Sequence, residues 1–141
     1  MKKTAVIYWS GTGNTEAMAE AVAEGMRGAG AEVTLLTPDQ VSVPKLDEYE
    51  AVALGCPAMG SEVLEESEFQ PMFDDCKSKL DCKKVALFGS YGWGDGEWMR
   101  EWEKDCEANG ITLAIASVIC CEAPDDEALD ACRELGKTLA Q

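Results

Sequence analysis

Three short loops carry the residues whose types and spacing could do chemistry. The first, Ser10-Gly11-Thr12-Gly13-Asn14-Thr15, sets three hydroxyls, one amide and two glycines directly before a helical stretch. Free backbone N–H groups and the helix dipole make such a turn an anion site. It is neither of the two commonest nucleotide loops. Glu16 stands where G-x-G-x-x-G needs its last glycine, and the Gly-Lys-Ser/Thr of a Walker loop is missing. With no cation in it, the loop suits one terminal phosphate held by neutral donors. The second loop, Cys56-Pro57-Ala58-Met59-Gly60-Ser61-Glu62, and the third, Tyr91-Gly92-Trp93-Gly94-Asp95-Gly96, each present a large polarizable or flat side chain beside glycine. Glycine on both sides of Trp93 lets the backbone approach a ligand closely. A planar ligand between Met59 and Trp93 accounts for both loops together. A fourth loop, Glu122-Ala123-Pro124-Asp125, is polar.

Composition removes other chemistries. The chain of 141 residues has 12 basic and 27 acidic side chains, a net charge of −15, and no histidine. Ser-His-Asp and Cys-His catalysis, His-ligated metals and imidazole acid–base steps are therefore absent. So negative a surface repels phosphodiester backbones and anionic lipid, which argues against nucleic-acid and membrane-surface roles. The 46% hydrophobic content argues for a folded globule. The apolar run after Lys2 and Lys3 is shorter than a secretory core, and no stretch approaches the roughly 20 residues of a membrane span. The expected location is the cytoplasm. The seven cysteines contain no C-x-x-C spacing to suggest zinc or thioredoxin-type chemistry. Cys76 and Cys106 fall on apolar helix faces and read as core residues. Cys120 and Cys121, adjacent on a strand, point to opposite faces.

The elements that must position these loops follow from the apolar pattern. Strands are expected at Thr4–Trp9, Val33–Leu36, Ala51–Gly55, Val85–Gly89 and Ile111–Ile119. Helices are expected at Glu16–Ala29, Phe69–Leu80, Glu97–Asn109 and Asp126–Ala140. Pro38 and Pro44 oppose a full helix between the second and third strands. Continuously apolar strands alternating with helices imply a parallel sheet covered on both faces, hence a single three-layer, doubly wound α/β domain over residues 1–141. In such a sheet, ligands bind beyond the carboxyl ends of the strands, where all four loops lie.

In that order, the three loops resemble the FMN loops of the short-chain flavodoxins, and the likeness runs over essentially the whole chain, including Glu65-Glu66-Ser67-Glu68-Phe69. The resemblance implies a five-stranded parallel sheet of order 2-1-3-4-5 with helices on both faces, and FMN as a non-covalent cofactor. It implies that Ser10, Gly11, Thr12, Gly13, Asn14 and Thr15 wrap the phosphate. Met59 would lie on the inner face of the flavin ring and Trp93 on the outer face. Glu62 would accept from flavin N3–H, and the Gly60–Ser61 peptide would turn with redox state. Ala58, Ser90, Tyr91, Gly92 and Gly94 would complete the ring pocket. One departure stands in the last loop: Cys120-Cys121-Glu122-Ala123-Pro124 replaces the Asn-containing loop that some short-chain members place beside the flavin edge. A carboxylate at Glu122 would lower the potential.

The implied function is low-potential, one-electron transfer between redox proteins, in the manner of ferredoxin, with no catalytic residue, no metal and no enzymatic turnover. The −15 charge fits this role, because about 1.4 kcal/mol of repulsion lowers a one-electron potential by about 59 mV. Asp39–Asp75 holds ten acids against the single Lys45, with Glu62, Glu65, Glu66 and Glu68 beside the second loop. Such a face would steer redox partners with basic docking surfaces to a monomer. The alternative is an FMN-dependent quinone or nitro reductase of the same fold. That activity needs an open ring face, which Met59 and Trp93 would cover.

Overall fold

The computed structural model describes residues 2–60, 63–92 and 94–141. The chain alternates strand and helix: β1 (Lys3–Tyr8), α1 (Asn14–Gly28), β2 (Glu32–Leu36), α2 (Val43–Leu46), β3 (Ala51–Gly55), α3 (Phe69–Cys76), β4 (Lys84–Tyr91), α4 (Glu97–Ala108), β5 (Val118–Cys121) and α5 (Asp126–Ala140). The five strands form one parallel sheet of order β2-β1-β3-β4-β5. β3 is buried throughout, as a central strand covered on both faces must be. α1 and α5 pack against each other over one face, around Met18, Val22, Met26, Cys132, Leu135 and Leu139. α3 and α4 cover the other with Phe69, Phe73, Trp98 and Trp102, the Trp102 ring meeting both phenylalanines edge-on. Cys76 and Cys106 are buried in this layer, as expected.

Register aligns the functional edge. Tyr8, Gly55, Phe88 and Val118 face one another across β1, β3, β4 and β5, so the four connecting loops leave the sheet side by side. Pairing then continues past the strand ends. Trp9 N–H donates to Gly55 O at 3.0 Å, Ala58 N–H to Ser90 O at 3.0 Å and Glu122 N–H to Tyr91 O at 2.7 Å. The loops are thus zipped together by the same backbone bonds that build the sheet.

Two bounds differ from the expectation by more than two residues, while the proline-bearing stretch holds no full helix, as expected. The fifth strand is not Ile111–Ile119. Leu113 makes an isolated bridge to Val85, and regular pairing begins only at Val118 opposite Phe88. β4 advances three residues over that interval and the edge chain five, so two residues are looped out. β5 is an edge strand, and such an excursion breaks its pairing on one side only. α3 ends at Cys76 and tightens into a 3₁₀ turn over Lys77–Lys79, which still delivers Leu80 to the core. The proline-bearing stretch folds as a 3₁₀ turn over Pro38–Gln40 and the one-turn helix α2, each with proline at its start, where a missing N–H costs nothing.

Candidate functional site

The first loop folds around Ser10. Its Oγ accepts from the N–H of Gly13 at 3.1 Å and of Glu16 at 3.2 Å, which leaves the hydroxyl proton to donate elsewhere. Gly13 sits at φ 94°, a conformation that side chains disfavour, and it aims the first amides of α1 into the loop. Its boundary residue Gly13 has no side chain to cap α1, and the Ser10 hydroxyl takes that part at Glu16. The amides of Asn14 and Thr15 have no intrahelical acceptor, as for any first turn. Asn14 and Thr15, expected just ahead of the helix, in fact form that turn. Thr15 is 1% exposed, and its Oγ1 has no partner among the described residues. A buried hydroxyl left unpaired costs about 1–3 kcal/mol, so its retention here points to an absent acceptor.

Beside this loop opens a cleft of about 490 Å³, within the range of small-molecule sites. Gly11, Thr12 and Asn14 form one end of it. Ala58, Met59 and Gly60 form one wall, and Ser90, Tyr91 and Gly92 another. Ser10 and Gly13 line the adjoining cleft of about 390 Å³. Among the described residues neither cleft is lined by lysine or arginine. Of the expected site residues, Gly94 lies in the turn before α4, at φ 85°, and does not line the cleft. Ser61, Glu62 and Trp93, with the N3–H acceptor, half of the turning peptide and the outer-face stack, lie outside the described residues.

Two further residues line the cleft and were not singled out from sequence as site residues. Trp9, read as the end of a buried strand, lies just beyond β1 and lines both clefts. Its Nε1–H donates to Glu68 at 3.0 Å, and its ring passes close enough to Gly11 that a Cβ there would sit 3.1 Å away. The reasoning applied to Met59, a large side chain at the carboxyl edge beside glycine, would have found it. Pro57 is the second. Glu122 also stands on the cleft wall, and Ala123 faces the groove outside β5. Glu122 is the one non-glycine residue with positive φ among those described, at 59°. The vicinal cysteines diverge as alternation requires: the Cys120 thiol contacts the Met18 sulfur at 3.6 Å, and Cys121 is exposed.

The second loop is built on buried polar groups. Cys56 is fully buried, and burial pushes its thiol up to about 12, so it stays protonated. Its backbone O accepts from Trp98 Nε1–H at 3.1 Å, and its N–H donates to Phe88 O at 3.2 Å. Glu65 is also buried, although its sequence neighbours placed it in a surface acid cluster. Burial acts to raise its carboxyl, but hydrogen bonds from the Ser67 side chain and from the backbone of Phe69, Ser67 and Glu68 outweigh that and hold it below the usual carboxylate range.

Fold and site together define a doubly wound α/β protein with a cation-free loop of glycines and hydroxyls beside a cleft at the carboxyl edge of its sheet. The flavodoxin family model matches residues 6–136. The flavodoxin of Clostridium beijerinckii is 46% identical over 135 residues, covering 96% of this chain and 97% of that protein. The flavodoxin of Megasphaera elsdenii is 46% identical over 136 residues, with coverage of 96% and 97%. The solution structure of two-electron reduced Megasphaera elsdenii flavodoxin superposes with a TM-score of 0.89 at 45% identity, over 97% of this chain and 98% of that one. The chain belongs to the flavodoxin family. Flavodoxins are FMN-binding electron-transfer proteins rather than enzymes, and cofactor and class follow from membership. Their partners are accordingly redox proteins. Among the described residues no helix is long and apolar enough to cross a membrane.

Proposed function

We propose that Ser10, Gly11, Thr12, Gly13, Asn14 and Thr15 hold the FMN phosphate. The ring would lie against Met59 and Trp93, bordered by Ala58, Gly60, Ser61, Glu62, Ser90, Tyr91 and Gly92. The observation that carries this reading is the sealed Thr15 Oγ1 in the first turn of α1, which has no partner among the described residues. Bound FMN supplies the redox chemistry; the chain binds it, orients it and keeps water from it. A dianion held without a cation must rely on oriented N–H and O–H donors, which gain strength in a site closed to solvent.

The test is affinity measured by flavin fluorescence quenching on the flavin-free chain. Hydrogen bonds to a charged group are worth about 1.5–3 kcal/mol each, so two of them favour FMN over riboflavin by at least about 100-fold. Equal affinity for the two flavins would remove the phosphate assignment.

The reading includes a low potential and a monomeric, single-domain carrier in the cytoplasm. A net charge of −15 and a cleft without lysine or arginine among its described lining residues both disfavour adding electrons. The described cleft is built within one chain. None of the seven cysteines forms a disulfide, which suits a reducing compartment. Partners would dock by basic faces on the acidic side of the molecule, where Glu66 and Glu68 are exposed. Complementary charge acts chiefly on encounter rate. The rate of reduction by a partner with a basic docking face is expected to fall about tenfold from low to moderate ionic strength. A salt-independent rate in stopped-flow mixing would dismiss the docking face.

A further inference from the structure

We propose that Glu65 is a positioning residue for the second flavin loop, fixing its described residues 57–60 and 63–64 between β3 and α3. Its carboxylate gathers donors from the next turn of chain: Glu68 N–H at 2.7 Å and Phe69 N–H at 2.9 Å on one oxygen, Ser67 N–H at 2.9 Å and the Ser67 hydroxyl on the other. α3 has no cap from its own boundary residue Glu68, so Glu65 serves as the cap from three residues upstream. Its backbone works in both directions as well. Glu65 N–H donates to the Cys56 sulfur at 3.4 Å, and Glu65 O accepts from Gln70 N–H at 2.8 Å.

Both ends of the loop are thereby held. The entry is fixed at Cys56 by β4 and by Trp98, and Ala58 is fixed to Ser90. The exit is fixed at Glu65 by α3 and by the Cys56 thiol. Between them Met59 N–H donates to Val63 O at 2.9 Å. With both anchors rigid, the turning of the Gly60–Ser61 peptide that the resemblance implies would be felt by the flavin rather than spread along the loop. The neighbouring Glu66 is exposed and holds no such bonds.

This inference rests on the flavin reading, and the experiment separates the two. Glu65→Gln keeps the shape but turns an amide donor toward the N–H groups of the cap. The two one-electron potentials of the FMN-loaded full chain are measured for wild type, Glu65→Gln, Ser67→Ala and Glu66→Gln. Loss of one negative charge acts on the two potentials by an amount that Glu66→Gln calibrates. Loss of positioning moves the two potentials toward each other. Glu65→Gln is expected to reduce the ratio of the two one-electron equilibrium constants at least tenfold, about 59 mV of convergence. Ser67→Ala, which removes one donor and no charge, is expected to converge less and in the same direction. In the flavin-free chain the Met59 amide is expected to exchange its hydrogen at least tenfold faster in Glu65→Gln. Convergence in Glu65→Gln no larger than in Glu66→Gln, with Ser67→Ala like wild type, overturns the proposal. So does unchanged exchange at Met59. If Glu65→Gln does not fold, Ser67→Ala decides. A wild-type chain that binds no FMN would defeat the flavin reading instead.

Discussion

Replacing Thr15 with valine is expected to stabilise the flavin-free chain and weaken its hold on FMN at the same time. Valine matches threonine in shape and has a similar helix propensity, so packing around this position is retained. What changes is Oγ1, which is sealed from solvent and has no partner among the described residues. Without flavin, the hydroxyl is a buried group with its hydrogen-bonding capacity unspent, and removing it should return about 1–2 kcal/mol. At this chain length that corresponds to about 2–8 °C in the melting temperature. With FMN present, the same hydroxyl would donate to a phosphate oxygen, a charge-assisted bond worth about 2 kcal/mol. Its loss should weaken FMN binding about 30-fold and leave riboflavin affinity unchanged. Calorimetry of the flavin-free chain and titration with both flavins test the two signs separately. A flavin-free variant less stable than wild type would mean that the hydroxyl has a partner. Unchanged FMN affinity would mean that it faces something other than the phosphate.

That hydroxyl illustrates what the sequence discloses and what it withholds. The Ser10–Thr15 hexapeptide is legible as an anion loop because its chemistry is local: hydroxyls, glycines and the start of a helix are all consecutive. Ala51–Gly55 and Asp126–Ala140 are likewise legible to the residue, since apolar continuity and an Asp125 cap mark them without help from distant contacts. The fifth strand is different. Ile111–Ile119 is apolar enough to pair throughout, and nothing local announces that two residues loop out between Leu113 and Val118. That excursion is decided by the register of β4, which lies more than twenty residues away.

Glu65 shows the same limit in charge. Four glutamates among positions 62–68 read as one acidic surface, and a solvated carboxylate is the ordinary expectation for each. The structure separates those it describes: Glu68 binds the Trp9 indole, Glu66 is exposed, and Glu65 turns inward to cap α3. The available signal was the acid-rich Glu65-Glu66-Ser67-Glu68 run directly before an apolar helical period, a pattern that marks helix starts. Trp9 was obscured for a related reason, because continuing the strand pattern through it hid its place at the cleft. The acids of this stretch therefore divide into exposed ones, open to the proposed docking role, and a buried one that caps α3.

The largest stability loss is expected from Gly136→Ala, at the contact of α1 and α5. A Cβ on Gly136 would lie 2.0 Å from Val22 O and 3.0 Å from Val22 C. The contact is reciprocal: a Cβ on Gly25 would lie 2.0 Å from Arg133 O. Both obstacles are helix backbone, which cannot turn aside as a side chain can, so one methyl must push the two helices apart. The ion pair between Arg133 and Glu24, at 2.9 Å, rims the same contact and would be stretched with it. Overpacking of this kind costs about 3 kcal/mol, and the melting temperature should fall by about 6–12 °C. FMN affinity should persist in the folded fraction, because the contact lies several helical turns from the anion loop. Gly25→Ala should cost a similar amount. The double variant should cost less than the two together, since the first methyl already separates the helices that the second would force apart. Denaturant unfolding of the three variants tests this. Additive losses would show two independent clashes, and an alanine variant within about 0.5 kcal/mol of wild type would show that the helices are not in backbone contact.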